Sequence, residues 1–272
     1  MLLPATEESL PPLSIAQRGR SWLLGLRFAV SRRLRWQRAG YRESPAGALT
    51  DLPEPLSRRL ADLRGHYAQA FEQRYNRHNS LENYLYLDLL DRLRLDAGLA
   101  WPPPQGDWLD IGSKHFWYAP VLRAALAPAH LTGIEIEGYR IYADGHSRHD
   151  YALHYLEALP DTDYRVQDAM DWQQPVDGIT CFYPFLLPGT VLAWGLPASV
   201  LRPRALFAHL ARCLRPGGHL LMVNQGEDEW QRARALVEAA GLRLIVQRAV
   251  SDPLLPRPAP PMLSLFQKPQ TD

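Results

Sequence analysis

Hydrophobic and polar positions along this chain follow two rhythms, and the change falls near residue 101. Residues 1 to about 12 show no periodicity and are expected to lack regular structure. The stretch "SIAQRGRSWLLGLRFAVSRRLRWQR" (14–38) then places Trp22, Leu23, Leu26, Ala29, Val30 and Leu34 at helical spacing, which predicts an amphipathic helix. A Pro/Gly-punctuated linker (43–55) leads to two further helical stretches, 56–76 and 80–98, the second expected to start at Ser80. "WPPPQGD" (101–107) stops helix formation. Beyond it strands and helices alternate. Strands are predicted at 107–112, 130–137, 163–167, 177–185, 219–225, 242–250 and 262–268, with a long helix after the second strand reaching about Ala158. Such alternation predicts an α/β fold: a doubly wound, seven-stranded and mostly parallel sheet. The last two strands are joined too briefly for a crossover and should be antiparallel. The expected organisation is a helical N-terminal region (1–100) capping a sheet domain (101–272).

In an open parallel sheet, ligands bind at the carboxyl ends of the strands, beside the reversal in strand order. Those ends carry "DIGSK" (110–114), Glu135, Asp168 and "FYPF" (182–185). Glu135 lies about two dozen residues beyond Gly112, a spacing that suits a carboxylate holding ribose hydroxyls. Asp168 directly follows a strand and can accept a bond from an exocyclic purine amine, with Ile136 and Met170 sandwiching the base.

Composition adds three constraints. At 272 residues with 22% charged and 46% apolar positions, the chain is that of a soluble globular protein. Cys181 and Cys213 offer neither a disulfide framework nor metal-ligand spacing, and the start of the chain lacks a signal-peptide pattern, so a reducing cytoplasm is expected. The net charge of +1 hides an asymmetry: from Leu10 to Arg42 there are eight arginines and no Asp or Glu. Lysine occurs only at Lys114 and Lys268, so Lys114 stands out in a chain that otherwise uses arginine.

"WLDIGSK", "LTGIEIE", "YRVQDAMDW" and "LARCLRPGGHLLMVNQ", together with the closing helix–"AAGL"–strand unit, resemble the class I S-adenosylmethionine-dependent methyltransferases over roughly residues 107–268. The resemblance implies a sheet whose last strand is inserted antiparallel, and S-adenosyl-L-methionine as cofactor. It also implies that Asp110, Gly112, Ser113 and Lys114 face the methionine end, Glu135 the ribose, and Asp168 with Ala169 the adenine. The family's loop runs D-x-G-x-G-x-G, and here Lys114 and Phe116 stand at the second and third glycines. Two readings follow. Either the loop is rebuilt so that the Lys114 ammonium pairs with the cofactor's carboxylate, or the site is dead and the chain is a non-catalytic binding protein. The scarcity of lysine favours the first. A dinucleotide oxidoreductase would need G-x-G-x-x-G, and "SKHFWY" follows Gly112 instead.

Methyl transfer is an in-line displacement in which catalysis is mostly positioning, with a base where the nucleophile must lose a proton. His115 is the candidate base, with Tyr183, Asn224, Gln225 and Glu227 near the reacting centre. "NRHNSLENYLYL" (76–87) offers Asn79, Glu82, Asn83 and Tyr84 to an acceptor. The run 178–201, which includes Trp194, holds 24 residues without a charge. Its prolines and glycines break any bilayer-spanning helix, so it is expected to overhang the site or lie under the N-terminal helices. An overhanging apolar loop implies a small or lipid-linked, partly apolar acceptor. His146, His149 and His154 do not share one helical face, so no metal is expected. The arginine-rich helix 14–38 reads as an anchor on an anionic membrane surface. A nucleic-acid patch is disfavoured by the lack of lysine and of an RNA module, and a transit peptide or a packed lid are the other readings.

Overall fold

The computed structural model describes residues 10–98 and 105–270. The expected disorder of residues 1–9 and the boundary at 101–104 lie outside the described residues. Strands β1 (Asp107–Ile111), β2 (His130–Ile134), β3 (Thr162–Arg165), β4 (Val176–Phe182), β5 (Leu214–Gln225), β6 (Arg243–Ala249) and β7 (Pro261–Gln267) form one sheet in the order β3-β2-β1-β4-β5-β7-β6. The first five are parallel, and β7 runs antiparallel to both β5 and β6, as the short final connection required. Strand order reverses between β1 and β4, so the ligand crevice is expected at their carboxyl ends.

Helices cover both faces. α3 (Arg77–Ala97) and α4 (Ala119–Leu126) pack on one, α7 (Pro203–Cys213) and α8 (Glu227–Ala239) on the other. The period-2 pattern of β5 sends Leu221 and Val223 into the core with Leu89 and Leu122, and Leu220 and Met222 into the core with Phe207 and Val237. α2 (Glu54–Tyr67) adds Leu60 and Leu63 to the first of these cores, so α2 and α3 share it with the sheet.

Several boundaries differ from expectation for local reasons. α2 stops at Tyr67 because Ala68 turns left-handed, and a short 3-10 turn (Phe71–Gln73) separates it from α3. α3 starts at Arg77 rather than Ser80, because Asn76 accepts the Asn79 N–H and caps the helix. After β2 only Arg148–Leu156 (α5) is helical, since Ser147 and Asp150 form a capping box that places the helix start there.

α1 (Ile15–Leu34) is a single helix, capped by Ser14 and Gln17. It rests on the loop after β4, where a short helix α6 (Pro188–Ala193) forms. Ser21 accepts the Ala198 N–H at 2.9 Å, Arg27 donates to the Gly195 carbonyl at 2.6 Å, and Phe28 packs on Val191, Leu196 and Leu201. The large apolar residues point the other way: Ile15, Trp22, Leu23, Leu26, Val30 and Leu34 are each 51–82% exposed. The chain then straps α5, with the Arg38 N–H on Asp150 at 3.0 Å and Tyr41 stacked on Tyr151.

One detail of β2 positions the crevice. Phe116, in the loop after β1, is fully buried, and its ring occupies the space a side chain at Gly133 would take. A Cβ at Gly133 would lie 2.5 Å from Phe116 Cε1. Gly133→Ala is therefore expected to cost about 1–3 kcal/mol by overpacking. Urea denaturation checks this, and an unchanged midpoint would show that the ring is free to move aside.

Candidate functional site

The loop after β1 keeps a glycine-type backbone without the glycines. Gly112, Lys114 and Phe116 have φ of 75°, 53° and 55°, so every position where the family pattern writes glycine is left-handed. For a non-glycine residue this costs about 1–2 kcal/mol. Side chains hold the geometry instead. Glu135 Oε2 accepts the Lys114 N–H at 2.9 Å, the Tyr164 hydroxyl donates to the Lys114 carbonyl, and the Phe116 ring is locked over Gly133.

Asp110 lies beneath this loop, fully buried, and accepts from the Tyr118 hydroxyl at 2.7 Å and the Thr180 hydroxyl at 2.5 Å. Ser113 donates to the Asp110 carbonyl at 3.0 Å. Both residues, expected to touch cofactor, brace the loop from below and do not line the cavity above it. Burial pushes the Asp110 carboxyl up to about 6.

That cavity measures about 560 Å³ and runs along the carboxyl ends of β1, β2 and β4. One end is lined by Asp168, Ala169, Met170 and Arg202, the middle by Ile136, Glu135 and Arg148, and the loop side by Gly112 and Lys114. Glu135 also accepts the Glu137 N–H and pairs with Arg148 at 3.2 Å through Oε1, while Oε2 has the Lys114 amide as its partner. Asp168 caps the turn at Met170 and binds Arg202 at 2.6 Å, a partner absent from the sequence reading. The Lys114 ammonium lies 5.1 Å from the Trp117 ring and 5.5 Å from the Trp194 ring, and among the described residues no carboxylate pairs with it. Burial lowers its pKa, with Arg148 adding to the effect.

The far half of the cavity corrects several expected positions. α3 presents His78, Glu82 and Tyr86, spaced four apart on one helical face. Asn79 instead bonds Glu43 at 2.7 Å and Tyr155 at 3.0 Å, Tyr84 bonds Glu72 at 2.7 Å, and Asn83 is fully buried off the cavity. Glu227 sits on the outer surface of α8 beside Gln231, and Glu229 reaches the cavity in its place. Asn224 is buried and donates to Glu229, while Gln225 lines the wall. His115 is half-buried against Trp117 and its Nδ1 meets the Tyr142 hydroxyl at 2.7 Å; it does not line the cavity. Burial drives its pKa well down, which keeps the ring neutral. Tyr183 does line the cavity, with φ 53° and a buried hydroxyl lacking a partner among the described residues; burial pushes the phenol up to about 12. Trp194 and Phe185, from the apolar run, form the roof. That run both overhangs the cavity and lies under α1. Among the described residues no His, Cys, Asp and Glu cluster suited to a metal is present.

Sheet order, inserted β7 and a loop-bounded cavity at the switch point define a class I methyltransferase. Residues 75–249 match the family described as "Methyltransferase domain", and the chain belongs to that family. As a member it is a methyltransferase enzyme whose methyl donor is S-adenosylmethionine. Among solved structures it is similar to the N-methyltransferase NodS from Bradyrhizobium japonicum WM9 in complex with S-adenosyl-l-homocysteine. That similarity has 14% identity, 78% of this chain, 99% of that one and a TM-score of 0.50. It is also similar to TrmN from Thermus thermophilus, at 18% identity, 68% and 48% coverage and a TM-score of 0.46. A SAM-dependent methyltransferase from Aquifex aeolicus matches at 15% identity, 65% and 88% coverage and a TM-score of 0.45. No curated protein sequence matches the chain.

The Asp110 carboxyl titrates near 6 in the folded chain and near 3.8 when unfolded. Between those values the native state holds a proton that the unfolded state releases, so this group's contribution to stability falls as pH rises from about 4 to 6 and is flat above. Asp110→Asn is expected to remove that slope. Urea midpoints of both proteins across pH 4 to 7 test it, and parallel curves would contradict the assignment.

Proposed function

We propose that this methyltransferase acts on a small or lipid-linked, partly apolar acceptor, and that it does so at an anionic membrane surface. The observation that carries the catalytic part is the left-handed backbone at 112, 114 and 116 above a cavity running to Glu135 and Asp168. The residues present suit the donor. Lys114, a cation without a carboxylate partner among the described residues, would take its carboxylate. Glu135 Oε2 retains an acceptor position for a ribose hydroxyl, and Asp168 with Ile136, Ala169 and Met170 would hold the adenine. When bound, S-adenosylmethionine supplies a methyl group on a sulfonium that departs as a neutral thioether. The chain's own part is then to orient the acceptor past Tyr183, exclude water with Phe185 and Trp194, and accept a proton.

The membrane part rests on α1. Its apolar stripe is exposed, its flanks carry Arg18, Arg20, Arg32, Arg33 and Arg35, and its opposite face grips the loop that roofs the cavity. Burying such a stripe in the headgroup layer would bring the cavity's mouth to the lipid. Among the described residues no helix is long and apolar enough to cross a membrane.

Calorimetry with S-adenosylmethionine is expected to show binding by the wild type and about ten- to hundredfold weaker binding by Lys114→Ala. No heat in the wild type would remove the cofactor reading, and equal affinities would remove Lys114 from it. Vesicles of phosphatidylcholine with phosphatidylglycerol should sediment the full chain. Trp22→Ser, Leu26→Ser and Val30→Ser combined should reduce the bound fraction at least about tenfold. Equal sedimentation of both would exclude the anchor.

A further inference from the structure

The half of the cavity beyond Tyr183 carries charges that donor binding does not use. Glu82 comes from α3, Arg257 from the β6–β7 connection, and Glu229 from the first turn of α8. Arg257 Nη2 lies 2.6 Å from Glu82 Oε2, so this arginine is neutralised by its neighbour. Glu229 has no such cation among the described residues. Its Oε1 accepts from the Asn224 amide and the Gln225 N–H, both at 3.2 Å, and its Oε2 has no partner among them. Glu82, Arg257 and Glu229 all lie close enough to the Tyr183 hydroxyl to act on it electrostatically, which gathers them around the residue at the end of β4.

A partly dehydrated carboxylate without a cation is costly unless the ligand brings the missing charge. A carboxylate or phosphate on the acceptor would be repelled by it, and a neutral hydroxyl would leave it uncompensated. An ammonium meets the need, and Pro258, Ala259 and Phe182 beside it provide an apolar wall for the rest of the molecule.

Building on the methyltransferase reading, we infer that the acceptor is a primary or secondary amine on an apolar body, and that Glu229 binds its ammonium and removes the proton. The proton passes from the ammonium nitrogen to the Glu229 carboxylate. The nitrogen lone pair then forms the C–N bond to the methyl carbon as the C–S bond breaks, its pair staying on sulfur. Burial raises the Glu229 pKa, which makes it a stronger base than a solvated glutamate.

The test uses the full chain loaded with S-adenosylhomocysteine and two matched probes, hexylamine and 1-hexanol, followed by calorimetry. Hexylamine is expected to bind at least about tenfold more tightly than hexanol. Glu229→Gln should bring the two within about twofold while S-adenosylhomocysteine affinity is unchanged, and Glu229→Asp should keep part of the preference. Equal binding of the two probes, no binding of either, or a preference that survives Glu229→Gln overturns the inference. Failure of S-adenosylhomocysteine to bind the wild type instead sinks the methyltransferase site on which it rests.

Discussion

The bond from the Lys114 amide to Glu135 is the constraint on which the cavity depends. It joins the loop after β1 to the end of β2, on one side of the place where the strand order reverses. A glycine loop reaches a left-handed backbone at little steric cost; this chain reaches it with Lys114 and Phe116 and meets the cost with side-chain clamps. Tyr164 holds the Lys114 carbonyl, Gly133 makes room for the Phe116 ring, and Asp110 holds Tyr118 and Thr180 underneath. The glycine has in effect moved from the loop to the strand beneath it. The same carboxylate lines the cavity, so loop shape and cavity wall rest on one residue.

A second dependence links the roof to α1. The run after β4 has a small core of its own in Val191, Leu196 and Leu201, and Phe28 of α1 closes it. The helix turns Phe28 and Ser21 inward and leaves Trp22, Leu23, Leu26, Val30 and Leu34 outside. A helix serving only as a packed lid would bury Trp22, Leu23 and Leu26 as well, since that apolar area is worth more buried than exposed. The loop that roofs the cavity and the exposed stripe thus lie on opposite faces of one helix.

Much of the fold was legible from periodicity, because strands buried on both faces and amphipathic helices leave distinct patterns. The seven strands, their mostly parallel pairing and the inverted β7 followed from alternation and connection length. Boundaries set by caps were less legible. Asn76 starts α3 and Ser147 starts α5, and several residues nearby have the same capping chemistry. In the site, the strand-end residues Lys114, Glu135, Asp168 and Tyr183 reach the cavity, and Trp194 reaches it from the uncharged run after β4. Within the stretch 76–87 only Glu82 of the expected residues lines the cavity, joined by His78 and Tyr86, while 79, 83 and 84 turn elsewhere. A shift of one residue turns a helical side chain by about 100°.

By itself, the sequence determined the α/β class, the polar residues at the strand ends and one of only two lysines placed where a glycine is usual. These depend on short-range pattern and composition. Only the tertiary structure decided that Asp110 and Ser113 brace the loop, that His115 faces an aromatic cluster, that Glu229 and not Glu227 meets the cavity, and that Arg148, Arg202 and Arg257 belong to its walls. Each of those outcomes is fixed by partners far away in the chain: Thr180 for Asp110, Tyr142 for His115, Glu82 for Arg257. Which way a polar side chain turns depends on the partner that satisfies it when it is buried, and periodicity carries no record of partners so distant in sequence.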